Sequence, residues 1–273
     1  MNIRILFVGE IVGKAGVFCV KTLLADIRAR TKADFVVANC DGTTGGFGIG
    51  KNHSVYLRKL GIDVITTGDQ AYFKKDMVEH IEKAYYLLRP ANHPPSNPGR
   101  GWRYYTVGDR KVAVVSLLGQ AGFDRIHLSN PYTFLPELVE RIKRETNTII
   151  IDFHATTTAE KGSMFFHADG HVSAVIGTGQ RVQTSDARVM PGGTGVICDV
   201  GRTGSIDSVG GLEPSIEIQK FLKQVPERSS EAWARPEMHA VVLEIDDDGK
   251  TVSIEAYREP CKEIPDGGKS TST

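Results

Sequence analysis

The stretch IRILFVGE, residues 3–10, sets five apolar residues around one arginine and then stops at a glycine and a carboxylate. A strand with one wet face alternates apolar and polar residues. This one does not, so it reads as a strand covered on both faces. The plan recurs in DFVVANCDG (34–42), DVITTGDQ (63–70), KVAVVSLLGQ (111–120), TIIIDFH (148–154), SAVIGTGQR (173–181) and TGVICDVGR (194–202). Amphipathic helical patterns occupy Ala15–Arg30, Lys51–Leu60, Lys74–Lys83, Leu135–Arg144 and Pro214–Lys223. Alternation of such strands and helices predicts βαβ units, a largely parallel core and an α/β fold.

Turn chemistry shapes the second half. Ala168-Asp169-Gly170-His171 and Asp247-Asp248-Gly249-Lys250 are Asp-Gly hairpin signals, and the latter joins AVVLEID to TVSIEAY as a C-terminal β-hairpin. RPANHPPSNPGRG (89–101) is too rich in Pro and Gly for either periodicity and reads as a loop. No linker or repeat divides the chain, so residues 1–264 are expected to form one domain, with 265–273 a disordered tail.

The 273 residues hold 33 basic and 33 acidic side chains, so no nucleic-acid-binding signature or polybasic membrane anchor is indicated. The first apolar run is too short for a membrane helix or a signal peptide, which leads us to expect a cytoplasmic protein without membrane association. Four cysteines without paired spacing suggest neither a disulfide framework nor a structural zinc site. Cys40 stands beside Asp41 with no neighbouring base to activate it.

In parallel α/β sheets, ligands sit beyond the carboxyl ends of the strands. Those ends here carry Glu10, Asp41, Asp69-Gln70, Asp152 with His154, Arg181, and Asp199 with Arg202. Each alone is ordinary, since loop ends are rich in Asp and Gly, and Asp69 is a reasonable helix cap. Together they suggest a shared acidic site with a histidine. Rival motifs fail: Gly9–Ala15 has the wrong spacing for a phosphate loop, residues 45–50 (GGFGIG) are not a dinucleotide fingerprint, and no GxSxG elbow occurs.

The blocks GEIVGKAG, NCDGTTGGFGI, TTGDQAYFKKD, RPANHPPSNPGRG, DFHATTTAEK, GTGQRVQTSD and CDVGRTG, in this order over residues 1–225, resemble those of the YmdB-like metallophosphoesterases. The resemblance implies a four-layer αββα metallophosphoesterase-like sandwich. It also implies a cytoplasmic phosphodiesterase acting on substrates such as cyclic nucleotides, with two metals about 3.5–4 Å apart. Carried over position by position, most of the family's ligands are changed. Its first aspartate falls on Glu10, its bridging glutamate on Asp41 and the following asparagine on Gly42. Its Asn-His pair falls on Asp69-Gln70, and its paired histidines on Gly179 and Arg181; His154 alone is retained.

Glu10, Asp41, Asp69 and His154 remain candidate ligands, suited by their hard oxygens to Mg²⁺, Mn²⁺ or Ca²⁺ more than to iron. Arg181 cannot ligate a metal but can neutralise Glu10 or Asp41, and Arg181, Arg202 and His93 are candidates for gripping a phosphate. Gln70 replaces a histidine that serves the family as acid or charge stabiliser, and an amide delivers no proton. The favoured expectation is a catalytically impaired binding or scaffold module holding one divalent cation or none, with a nucleotide or phosphate as ligand. The alternative is an active phosphodiesterase with a remodelled, single-metal site. A further reading makes the Pro-rich loop and the GGFGIG segment contacts for a homo-oligomer or protein partner. The remaining histidines, His53, His80, His127, His167, His171 and His239, are expected at the surface or in loops.

Overall fold

The structure is a computed structural model that describes residues 2–123 and 128–262. In chain order, the first half comprises β1 (Ile3–Val8), β2 (Glu10–Ile11), α1 (Gly13–Thr31), β3 (Phe35–Asn39), α2 (Lys51–Lys59), β4 (Val64–Thr66), α3 (Lys75–Lys83) and β5 (Leu87–Leu88). There follow β6 (Trp102–Val107), β7 (Arg110–Leu118), α4 (Pro131–Lys143), β8 (Ile149–His154), α5 (Thr158–Ala168), β9 (Ala174–Thr178), β10 (Arg188–Val189) and β11 (Gly195–Ile197). The chain ends with β12 (Arg202–Ser205), α6 (Pro214–Lys223), β13 (Pro236–Ile245) and β14 (Thr251–Pro260).

The strands form two sheets. One runs β2-β12-β13-β1-β3-β4-β5, with β14 also paired to β13; the other runs β10-β11-β9-β8-β7-β6. Strand parity explains the unbroken apolar runs. Ile3, Ile5 and Phe7 of β1 face the second sheet and meet Val112, Val114, Ile150 and Ile176 there. Leu6 and Val8 face the opposite way, into a core with α1, α2 and α3. Ile149, Ile151 and Phe153 of β8 likewise face α4 and α5. Both sheets are therefore covered on both faces, and the layers run helix, sheet, sheet, helix, as the four-layer αββα expectation requires.

The same parity prepares the site. On the inter-sheet face, apolar residues give way to polar ones towards the strand ends: Val37 to Asn39, Val64 to Thr66, Ile150 to Asp152 and His154, and Ile176 to Thr178. These polar side chains are buried between the sheets.

The C-terminal hairpin forms as expected, with β13 and β14 antiparallel around a turn in which the Gly249 N–H donates to the Asp246 carbonyl. The Asp-Gly pair at 169–170 makes no hairpin. Asp169 ends α5, and Gly170, at φ 76°, turns the chain into β9, which pairs in parallel with β8. Residues 103–107, which carry no apolar run, form β6 antiparallel to β7. Asp69 does not cap a helix, since α3 starts at Lys75. Besides His154, two histidines among the described residues are buried: His239 in β13 and His93 in the Pro-rich loop. His127 and the 265–273 tail lie outside the described residues.

Candidate metal centre

Asp41, Asp69 and His154 come from three separate strand ends and converge. One oxygen of each carboxylate and a ring nitrogen of His154 all lie within 4.8 Å of one another. Asn39 starts the arrangement: its Oδ1 accepts the Asp41 N–H at 3.1 Å, which turns the chain beyond β3. Asp41 then accepts the Gly68 N–H at 2.7 Å and the Gln70 N–H at 3.0 Å, docking the end of β4 beside it. His154 Nε2 stands 3.2 Å from Asp69 Oδ1 and 3.9 Å from Asp41 Oδ2. Gly68 is required by the close approach: a Cβ there would lie 2.4 Å from the His154 ring.

A chain of buried groups sets the tautomer of His154. The Thr178 hydroxyl donates to Asp152 Oδ1 at 2.7 Å, so its oxygen accepts from His154 Nδ1 at 2.9 Å. Nδ1 thus keeps its proton, and Nε2, which faces the two aspartates, is the nitrogen that a cation would take in exchange for the Nε2 proton. Asp152 is fully buried and is satisfied by Thr66, Thr178 and Asn39. Burial raises the Asp152 carboxyl above its usual range. Phe123 stacks on the His154 ring, with centroids 6.1 Å apart.

The electrostatics are those of a crowded acidic site. Burial foremost, with Asp69 and Glu10 adding repulsion, pushes Asp41 up to about 7. Burial alone would lower His154, but the bond to Asp69 and the charges of Asp41 and Glu10 overcome it and hold the imidazole at about 9. Asp69 lies below its usual range despite burial, because His154 favours the ionised form. Three carboxylates thus share a small volume with one histidine. The Glu10 Oε2 atom is buried with no hydrogen-bond partner. The hard oxygens of Asp41 and Asp69 and the Nε2 of His154 fit one divalent cation.

Where the resemblance puts a second metal, there is an arginine. Arg181 donates from Nε to Glu10 Oε1 at 2.8 Å, and its Nη2 lies 2.6 Å from the same oxygen. Its other contacts are the carbonyls of Gly210 and Gly46, each at 3.1 Å. Gly42 makes room for this pair, since a Cβ there would lie 2.7 Å from both Arg181 Nη2 and Glu10 Oε1. Arg181 itself is left-handed, at φ 59°. The turn that carries it is braced from beneath: buried Lys161 meets Asp199 at 2.9 Å, and Asp199 accepts the Gln180 N–H at 2.8 Å.

The other candidates stand further back. Arg202, expected to grip a phosphate, spends Nε, Nη1 and Nη2 on the carbonyls of Ser205, Arg181 and Ile206, and so holds the Arg181 turn. The Gln70 side chain accepts the Gly48 N–H at 2.9 Å and fastens the glycine-rich loop. His93 packs edge-on to Tyr72 and makes no hydrogen bond or ion pair with Asp41, Asp69 or His154. Burial pushes the Cys40 thiol upward, so it stays protonated. Thr178 and Phe123 were not visible as site residues in the sequence; strand parity with His154 and Asp152 was the one signal pointing to Thr178.

Comparisons with known proteins agree with this geometry. The 2',3'-cyclic-nucleotide 2'-phosphodiesterase of Bacillus subtilis (strain 168) is 35% identical over 253 residues, covering 92% of this chain and 95% of that protein. The crystal structure of a phosphatase from Mycoplasma pneumoniae superposes with a TM-score of 0.90 at 31% identity, covering 95% of this chain and 94% of that one. NAD nucleotidase of Haemophilus influenzae shares the fold alone, at 10% identity and a TM-score of 0.61, over 95% of this chain and 56% of that one. Residues 6–257 match the YmdB-like protein family, and the chain belongs to that family.

Proposed function

We propose that this chain is a metal-dependent phosphodiesterase acting on nucleoside 2',3'-cyclic phosphates, with one divalent cation where the family pattern has two. The convergence of Asp41, Asp69 and His154 carries the reading. These three residues hold the cation, with Mg²⁺, Mn²⁺ or Ca²⁺ favoured over iron by the oxygen donors. When bound, the cation supplies Lewis-acid polarisation of a phosphoryl oxygen. Arg181 keeps a fixed positive charge beside the site, anchored on Glu10, and takes the electrostatic part of the second metal. The Thr178–Asp152 pair keeps the His154 lone pair directed at the cation. The relative named above as a cyclic-nucleotide phosphodiesterase supports this substrate class. No helix among the described residues is long and apolar enough to cross a membrane, which accords with a cytoplasmic role.

Gln70 stands where the family pattern has a histidine. It offers no proton to the departing oxygen, and a general acid is worth about 10² to 10⁴-fold. The enzyme is therefore slow on an alkoxide leaving group and faster on an aryl one. Elemental analysis should find one divalent ion per chain. Hydrolysis of bis(p-nitrophenyl) phosphate should exceed that of 2',3'-cyclic AMP, and His154→Ala should abolish both. Two ions per chain would remove the single-metal reading. No turnover with any divalent ion would remove the enzymatic one and leave the impaired binding module.

A further inference from the structure

We propose that the β6 edge of the second sheet carries an anion site, separate from the metal triad, that binds a phosphate group between Arg89, His93, Arg100 and Arg141. Two adjoining cavities, of about 390 and 450 Å³, share Arg100, Gly101, Trp102 and Arg141 in their walls. They lie between the Pro-rich loop, the start of β6 and the outer face of α4. None of Glu10, Asp41, Asp69, His154 or Arg181 lines them.

The polar lining is almost wholly donor. His93 is 9% exposed, and its Nε2 is buried with no partner. Its Nδ1 faces the Asn97 side-chain Nδ2 at 3.3 Å. An amide nitrogen only donates, so Nδ1 is the acceptor and Nε2 carries the proton. Burial, with Arg89 adding its charge, lowers the imidazole to about 4, so the ring is neutral and still offers that N–H.

Arg89 is 5% exposed and reaches the carbonyls of Pro90, Pro94 and Asn97, while its Nε finds no partner. Arg141 lies over the Trp102 ring, 5.4 Å from its centroid. Among the described residues, no ion pair joins Arg89, Arg100 or Arg141 to a carboxylate, and Glu137 is the one acid in the walls.

Arg89 is the buried cation here, and with Arg100 and Arg141 exposed at the mouth the cavity sets three guanidinium groups against one carboxylate. The ligand that balances them is an anion with several acceptor oxygens. Guanidinium forks match phosphate in that respect. Trp102, Phe134 and Leu138 line the same space and offer an apolar wall for a nucleoside attached to the phosphate.

Intrinsic fluorescence and calorimetric titration of the intact protein with inorganic phosphate and, separately, with adenosine monophosphate test the site. Both ligands should saturate. The exposed residues Arg100 and Arg141 allow substitution without disturbing the core, so Arg100→Gln and Arg141→Gln should each weaken binding by about tenfold. His93→Gln should weaken it as well, while His154→Ala should leave it unchanged. Tighter binding of the nucleotide would assign the apolar wall to its nucleoside; equal binding would assign the site to free phosphate. Absence of saturable binding, or loss in His154→Ala with none in Arg141→Gln, would overturn the proposal and place the anion at the metal triad.

Discussion

At the scale of single residues, the site depends on groups that never touch a substrate. Thr178 orients His154 by accepting a hydrogen bond from its Nδ1–H, and it can do so because its own hydroxyl hydrogen goes to Asp152. Thr178→Val keeps the shape and removes the acceptor. Metal affinity should fall by about 10 to 100-fold, the usual effect of losing such an outer partner, while circular dichroism stays native. An unchanged metal titration would show that the ring is positioned by packing alone. Glu10, Asp41, Asp69, His154 and Arg181 were legible because each closes an apolar run. Their pairing was less so: only the coordinates place Arg181 on Glu10 rather than Asp41. The bracing role of Arg202 was not legible, because a sequence cannot show that each nitrogen of a guanidinium beside a site bonds a carbonyl behind it.

At the scale of elements, the helix that follows the DFHA block links fold to site. Thr157 caps α5 by accepting the Glu160 N–H at 3.2 Å, and Glu160 accepts the N–H groups of Gln120 and Ala121 at 2.6 and 3.2 Å. The second contact fastens the loop whose Phe123 stacks on His154. Thr157→Ala should lower unfolding stability by about 1 kcal/mol. Glu160→Ala should additionally speed hydrogen exchange at Gln120 and Ala121, a local effect that the cap variant lacks. Equal exchange in both variants would sink the assignment of Glu160 as the loop's anchor. This helix escaped the sequence reading because Gly162 and Ser163 interrupt its apolar stripe. Strand β6 escaped because WRYYTV has neither clean alternation nor a β-branched run and follows a loop rich in Pro and Gly, whereas the parallel strands announced themselves by β-branched runs.

At the scale of the molecule, the two sheets share one apolar layer, so we read residues 1–264 as one cooperative unit. Trp102 reports on the second sheet, and Trp233, 5.6 Å from Phe18 of α1, reports on the first. Single-tryptophan variants should unfold in urea at one midpoint, matching the loss of helical signal. Two separated midpoints would divide the chain into two units. The order of the first sheet has a consequence for how the protein is made. Strand β13, from residues 236–245, lies between β1 and β12, and β2 with Glu10 joins the sheet only through β12. A chain emerging from the ribosome can therefore pair β1 with β3 early. It cannot seat β12 and β2 in the sheet beside β1, with Glu10 against Arg181, until residues 236–245 have been made. The centre therefore matures after the triad's own residues are made, and a product cut before residue 236 would carry those residues without the finished wall beside them.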